Sequence, residues 1–190
     1  MNNLERQSYF CSNGYQSDSL INTDSGYPLD LENLPPFLRT LLVMDGTVTK
    51  ALESWFWEPV NVIPLINDKD EQEAQLLKRE VLLQGEHSST IFACARSTVS
   101  LENLPIDISR ALVSGKIGIG ELLREKGLET YRELFDINYL KDLPAGDSLL
   151  IKMMVDANSS SIVSRSYKIW LNKKAAITVT EFFPIDNFVN

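Results

Sequence analysis

The sequence contains few of the residues on which metal centres and nucleophilic catalysis depend. Its 190 residues include one histidine, His87, and two cysteines, Cys11 and Cys94. A single histidine excludes a multi-histidine metal centre and leaves a serine or cysteine nucleophile little choice of activating base. The two cysteines have no Cys-x-x-Cys spacing, so the sequence indicates neither a disulfide framework nor a zinc site. We therefore expect no metal ion.

Basic charge and long apolar runs are also scarce. The formal net charge is -8, whereas nucleic-acid and membrane-surface binding both require a basic face. No apolar run approaches the roughly 20 residues that span a bilayer, and the start "MNNLERQSYF" lacks the features of a signal peptide. We expect a cytoplasmic protein with no nucleic-acid partner and no membrane span. An anionic ligand would require a site that is locally basic.

The chain divides into a polar leader and one domain. Residues 1–27 are rich in Ser, Asn and Gly with little hydrophobic periodicity. This composition predicts a flexible leader or an arm laid over the domain. Residues 28–190 contain the periodic apolar patterns and are long enough for a single core.

Within residues 28–190, helical patterns alternate with strand patterns. Helices are predicted after Pro35-Pro36, from Val48, over Ile108–Val113 and over Ile119–Phe135. Strands are predicted at Val60–Ile66, Lys78–Gln84, Ser89–Val99, Ser148–Val155, Arg165–Leu171 and Ala175–Phe183. Short turns between some of these strands indicate hairpins and antiparallel pairing. The predicted fold class is α+β with an antiparallel sheet of about six strands.

The stretch "LLVMDGTVTKALESWF", residues 41–56, interrupts one helix and begins another immediately. Asp45-Gly46 is a turn signal, and Thr47 is suited to the N-cap of a helix that starts at Val48. The start of a helix presents unpaired backbone N–H groups that favour an anion. An anion would therefore suit this position, and the alternative is a plain connection between two helices.

Three charged residues fall on strand faces that also carry apolar residues. By alternation Arg79 shares its face with Val81, Arg96 with Cys94, and Glu181 with Val179. A charge in apolar surroundings needs a partner or a ligand. One interpretation is a buried Arg–Glu ion pair, or a strand covered on both faces. The other is an internal polar site with two cationic donors and one carboxylate.

An ordered set of motifs resembles a known family. The pieces "LLVMDGTVTKALE", "LKREVLLQGEHSSTIFACARSTV", "GIGELL" and "RSYKIWLNKKAAITVTEFFP" span residues 41–184. Together they resemble the chorismate pyruvate-lyases, and specifically the divergent branch of cyanobacteria and plastid genomes. The resemblance implies an antiparallel sheet with helical flaps over an internal ligand pocket.

Carried over by position, the substrate contacts of that family fall on Val48, Arg79, Ile119 and Glu181, and a second basic residue falls on Arg96. The resemblance implies that Glu181 and Arg79 are the catalytic residues. Arg96 would hold the enolpyruvyl carboxylate or neutralise Glu181. Val48 replaces a methionine and Ile119 a leucine of the bacterial members, and both positions stay apolar.

The implied reaction is elimination of pyruvate from chorismate to give 4-hydroxybenzoate, without a cofactor. The product would serve quinone biosynthesis, for example of plastoquinone. An alternative is a non-catalytic binding or sensing module for a small aromatic carboxylate, since the effector domains of some bacterial transcription regulators resemble this fold. Such regulators carry a separate basic DNA-binding domain, and the polar leader is too short to be one.

Overall fold

The computed structural model describes residues 21–22, 33–69, 75–115, 117–141 and 146–189. The α-helices in these ranges are α1 (Pro36–Val43), α2 (Val48–Phe56), α3 (Ile106–Val113), α4 (Ile119–Glu125) and α5 (Ser148–Asp156), and short 3-10 helices lie at Leu101–Asn103 and Ile185–Phe188. The strands are β1 (Ile21–Asn22), β2 (Val60–Lys69), β3 (Leu76–Gly85), β4 (Ile91–Ser100), β5 (Tyr131–Leu140), β6 (Ile162–Leu171) and β7 (Lys174–Pro184).

The described strands form one sheet in the order β1-β5-β6-β7-β4-β3-β2. The six long strands, β2 to β7, pair antiparallel with their neighbours, and only the two-residue β1 pairs parallel, with β5. Helices lie against this antiparallel sheet, so the α+β fold class is confirmed.

One face of the sheet carries two apolar clusters. Helices α1 and α2 pack over one end, with Leu38, Leu52 and Phe183 fully or almost fully buried. Helices α3 and α4 pack over the other end, with Leu112 and Ile177 in the core. The candidate site lies between these two clusters.

The opposite face is covered by α5. Leu149, Leu150 and Met153 of this helix are buried against Cys94 on β4 and Phe182 on β7. The central strands are therefore buried on both faces, and alternation along a strand does not separate an inner from an outer face there.

The predicted helix Ile119–Phe135 is wrong over its second half. Helix α4 ends at Glu125, and Gly127 adopts a left-handed conformation with φ of 61°. Its N–H and that of Leu128 donate to carbonyls of the last turn, which is a common way to terminate a helix. The chain then forms β5, so the prediction missed a strand.

The predicted strand Ser148–Val155 is also wrong, because this segment is helix α5. The Asp147 carboxylate accepts a hydrogen bond from the Leu150 backbone N–H at 3.1 Å and so caps the helix. The apolar run offers no alternation, and its buried residues follow a helical spacing. The expected number of long strands was right because this error and the missed β5 cancel.

The predicted leader, residues 1–27, lies outside the described residues apart from the backbone of Ile21–Asn22. These two residues pair with Ile137 and Asn138 at the β5 edge of the sheet. Within the described part of the chain, no helix is both long and apolar enough to cross a membrane.

Candidate active site

A cavity lies between the two apolar clusters, with the sheet as its floor. Strands β2 to β7 supply the floor, and two segments cover it: residues 46–49 at the start of α2 and residues 118–120 at the start of α4. The cavity has a volume of about 70 Å³. Its walls are mostly apolar, with a few charged and hydroxyl groups. This mixture is typical of small-molecule sites.

The interruption of the first helical region forms one cover of the cavity. Helix α1 ends at Val43, and α2 begins at Val48 after the turn through Gly46. Thr47 occupies the N-cap position but its side chain makes no capping hydrogen bond. Gly46, Thr47 and Val48 all line the cavity. The "DGT" turn therefore positions cavity wall and does more than connect two helices.

The second cover is formed by Gly118, Ile119 and Gly120. The two covers touch, because a Cβ added at Gly120 would lie 3.1 Å from Cγ2 of Thr47. The absence of a side chain at Gly120 thus permits the close approach. Val48 and Ile119 provide apolar surface on the two covers.

Arg79 on β3 is a buried cation with neutral partners. It is 3% exposed, and it donates from Nε to Oδ1 of Asn67 at 2.9 Å and from Nη2 to the Ile117 carbonyl at 2.9 Å. Burial lowers the pKa of Arg79 from its ordinary value, yet a guanidinium remains charged in proteins. No carboxylate pairs with it among the described residues. Among the described residues, Arg79 is therefore a positive charge at the cavity without a carboxylate partner.

Glu181 on β7 is held by two neighbours on β6. Antiparallel register places it opposite Arg165, whose Nε donates to Oε2 of Glu181 at 2.7 Å. The Tyr167 hydroxyl donates to Oε1 at 3.0 Å. Glu181 is 6% exposed and Arg165 is 2% exposed. The carboxylate is fixed in one orientation and keeps lone pairs for a further donor.

The surroundings of Arg165 favour its charged form. Burial is the largest single influence on the pKa of Arg165 and would lower it, but the charges and hydrogen bonds of Glu181 and Tyr167 together raise it. Burial and the neighbouring carboxylate raise the pKa of Tyr167, so its hydroxyl stays protonated and remains a donor. Arg165 also donates from Nη1 to the Met44 carbonyl at 2.8 Å, which ties the pair to the turn before α2.

Arg96 lies outside this cavity. On β4 it belongs to the opposite face, where it donates to Glu80 at 2.8 Å and makes two hydrogen bonds to Asp147 at 2.7 and 2.6 Å. These carboxylates raise its pKa. Arg96 thus neither contacts Glu181 nor faces the site, and its charge is already compensated.

Four of the five sequence-predicted site residues therefore meet at one cavity, namely Val48, Arg79, Ile119 and Glu181. The predictions missed two arginines and a tyrosine: Arg132 and Tyr167, which line the cavity, and Arg165, which pairs with Glu181. Alternation along "RSYKIWL" would have placed Arg165 and Tyr167 on one face. Arg132 was hidden because its strand was taken for helix. Among the described residues, no cluster of His, Cys, Asp or Glu could hold a metal ion.

An antiparallel sheet with two helical covers over a charged internal cavity defines a chorismate lyase-like domain. The chain resembles the solved structure of PhnF from Mycobacterium smegmatis with a TM-score of 0.51 and 14% identity. The match covers 76% of this chain and 66% of that one. At this identity the likeness shows the fold alone.

The family follows from sequence. The model of the family described as "Chorismate pyruvate-lyase Rv2949c-like" matches residues 42–189, and the chain belongs to this family. The chain is 33% identical over 150 residues to a protein named putative lyase MJ0807 from Methanocaldococcus jannaschii, with 77% of each chain covered. It is 27% identical over 170 residues to a chorismate pyruvate-lyase of Mycobacterium leprae, covering 81% of this chain and 77% of that relative.

Proposed function

We propose that the protein is a chorismate lyase that eliminates pyruvate from chorismate and leaves 4-hydroxybenzoate. The observation that carries the proposal is Arg79, a buried cation at the cavity whose observed partners are a neutral amide and a carbonyl. Such a group calls for an anionic ligand, because an uncompensated charge in a protein interior is costly. The family and the names of the relatives support a lyase.

Arg79 binds the ring carboxylate in this proposal. Its planar fork suits a carboxylate, and the backbone N–H groups at the start of α2 add further donors. Val48 and Ile119 pack against the ring and exclude water from the reacting atoms. The cavity thereby fixes the ring before chemistry begins.

The reaction breaks the ether bond between the ring and the enolpyruvyl oxygen. The ring carbon that bears the hydroxyl loses its hydrogen as a proton, and the C–H electron pair becomes a ring π bond. The ether electrons leave with the enolpyruvyl oxygen as an enolate, which takes up a proton at carbon and becomes pyruvate. Aromatisation drives the reaction, so the protein has mainly to hold the reactive geometry and stabilise the moving charge.

Glu181 is the proton-handling group of the proposal. Its oxygens accept hydrogen bonds from Arg165 and Tyr167 and still have capacity for the ring hydroxyl. Accepting from that hydroxyl would orient the adjacent C–H bond and assist proton removal. The cytoplasmic location and the supply of 4-hydroxybenzoate to quinone biosynthesis remain predictions from the sequence.

The test measures pyruvate release from chorismate and thermal melting with and without 4-hydroxybenzoate. Wild type should release pyruvate and be stabilised by the product. Glu181→Gln should still bind 4-hydroxybenzoate while turnover falls about 10²-fold or more, as expected when a positioned proton-handling group is lost. Arg79→Ala should lose product binding. Arg110→Ala, at an exposed position of α3, is the matched control and should behave as wild type.

Two outcomes would contradict the proposal. Wild type that binds 4-hydroxybenzoate without releasing pyruvate would be a binding module and not a lyase. Arg79→Ala that binds the product as tightly as wild type would remove Arg79 from the carboxylate site.

A further inference from the structure

The proposed substrate carries two carboxylates, and Arg79 accounts for one of them. Arg96, the second cation suggested by the sequence, faces away from the cavity and already pairs with Glu80 and Asp147. A dianion held in an enclosed site requires a second positive group. The cavity wall supplies one other guanidinium, Arg132 on β5.

Arg132 has hydrogen-bonding capacity to spare. Its side chain is 16% exposed, and Nη1 donates to the Asp45 carbonyl at 2.8 Å. Its carboxylate partner among the described residues is Asp45, with Oδ1 at 3.7 Å from Nη1 on a side chain that is 69% exposed. Its Nε is buried and has no hydrogen-bond partner among the described residues. A buried donor left unpaired is unfavourable, and a ligand oxygen would satisfy it.

The position of Arg132 complements that of Arg79. In the sheet order, three strands separate β5 from β3, and the middle one, β7, carries Glu181. The two arginines thus approach the cavity from opposite sides, with the proton-handling carboxylate between them. A substrate with a carboxylate at each end would place its reacting carbons near Glu181.

The charge balance of the site also fits a dianion. The negative charge of Glu181 is matched by Arg165 at 2.7 Å. Among the described residues, Arg79 then has no carboxylate partner, and Arg132 has only the exposed Asp45 carboxylate at 3.7 Å. This local excess contrasts with the net charge of -8 of the chain.

We infer that Arg132 binds the second carboxylate of the substrate, the one carried by the enolpyruvyl ether, and so selects dicarboxylate over monocarboxylate ligands. The inference rests on the proposed lyase function. It assigns Arg132 a contact with the departing group, whose charge changes during the reaction.

The experiment compares two unreactive ligands that differ by one carboxylate. The dicarboxylate is the enolpyruvyl ether of 3-hydroxybenzoate, and the monocarboxylate is 3-hydroxybenzoate itself. Calorimetry gives Kd for both with wild type, Arg132→Met, Arg132→Lys and the exposed control Arg110→Met. Pyruvate release from chorismate is measured in parallel. Circular dichroism establishes which variants fold.

Arg132→Met should weaken dicarboxylate binding about 10- to 150-fold, the range for a lost hydrogen bond to a charged group. Its affinity for the monocarboxylate should change little. Arg132→Lys should recover part of the loss, since it keeps the charge but not the fork. Arg110→Met should leave both affinities unchanged. In chorismate turnover, Arg132→Met should lower kcat/KM by a factor similar to its loss of dicarboxylate affinity.

Equal losses for both ligands would overturn the inference, because Arg132 would then act only by holding the Asp45 turn. No loss for either would overturn it as well. If Arg132→Met does not fold, the same comparison is made with Arg132→Lys, where a larger loss for the dicarboxylate supports the contact. If the proposed lyase function is wrong, wild type releases no pyruvate from chorismate, whichever of the two ligands it prefers.

Discussion

Glu181 belongs to a buried ion pair and also lines the cavity of the proposed active site. Its partner Arg165 is almost fully buried, and the two lie directly opposite each other on neighbouring strands. The sequence left open a buried Arg–Glu pair or an internal polar site. The structure contains both, because Glu181 pairs with Arg165 and also lines the cavity together with Arg79.

Replacing Arg165 by Met should destabilise the protein strongly. The change leaves the Glu181 carboxylate buried with Tyr167 as its remaining observed partner, and breaking a buried pair in this way typically costs about 3–5 kcal/mol. Glu181→Gln should cost less because the amide still accepts a hydrogen bond. Urea unfolding of both single variants and the double variant measures the coupling between the two positions.

The double variant should be less destabilised than the sum of the single variants, because it buries no unpaired charge. Lys50→Met is the contrast, since it breaks an exposed pair with Glu53 and should cost at most about 1 kcal/mol. Strictly additive effects of Arg165→Met and Glu181→Gln would show that the pair is not a stabilising unit.

In helix α5, Asp147 both caps the start of the helix and anchors the helix to the sheet. The Asp147 carboxylate accepts from the Leu150 N–H and from Arg96 on β4. The hydrogen bonds from Arg96 are the main cause that lowers the pKa of Asp147. A lowered pKa in the folded state means that the ionised carboxylate stabilises the fold.

Asp147→Asn should therefore lower stability at pH 7 by about 1–2 kcal/mol, since it keeps a capping oxygen but loses the charged hydrogen bonds. Asp147→Ala should cost more, because it removes the cap as well. The deficit of Asp147→Asn should be complete above pH of about 4, the ordinary pKa of Asp, and should disappear as pH falls through the lower folded-state pKa. Thermal melting between pH 2 and 7 for wild type and both variants measures this dependence.

The control for α5 is Asp156→Asn, which removes an exposed pair with Lys152 at the other end of the same helix. It should change stability little at any pH. A constant deficit of Asp147→Asn across the whole pH range would show that its charge does not anchor the helix.

At the scale of the whole molecule, the site is closed by two segments that are distant in sequence. The cavity of about 70 Å³ is smaller than the roughly 150 Å³ that accommodates benzene in an apolar protein cavity. An aromatic acid therefore requires the covers to separate for entry and the cavity to expand around it. The contact of Gly120 with Thr47 is the point where the covers meet.

Gly120→Ala should disturb this closure. The added methyl would lie 3.1 Å from Cγ2 of Thr47, and overpacking of this kind costs about 1–3 kcal/mol. We expect a lower melting temperature and a Kd for 4-hydroxybenzoate raised about tenfold, since 1.4 kcal/mol corresponds to a factor of ten. Thr47→Ser removes the opposing methyl and should rescue Gly120→Ala.

Gly118→Ala is the matched control, because its new Cβ would meet Val62 at an ordinary 3.6 Å. It should change the melting temperature less than Gly120→Ala does. Failure of Thr47→Ser to rescue Gly120→Ala would mean that the covers do not close against each other at this point.

The domain organisation, a leader and one domain, stays a proposal. We propose that residues 1–27 contribute little to the core, because their sequence lacks apolar periodicity. The pairing of Ile21–Asn22 with β5 adds two residues to the edge of the sheet. Such a short strand offers few hydrogen bonds to the fold.

Sequence patterns by themselves determined the elements with clear local periodicity. The helix at Val48 follows from a turn signal and helical periodicity. The hairpin of β3 and β4 and the pair of β6 and β7 follow from strand patterns and short turns. Local signals also identified Arg79 and Glu181 as charges in apolar surroundings. They failed for β5 and α5, where helical and strand patterns compete and packing decides between them.

Only the tertiary structure decided which charges meet. Alternation gave Arg79, Arg96 and Glu181 equal standing, because a sheet buried on both faces has no outer side. The helices then placed Arg96 with Asp147 on one face, and left Arg79 and Glu181 on the other. The choice of Arg165 as the partner of Glu181 depends on the register of two strands. Register is set by packing across the whole sheet, and no single strand encodes it.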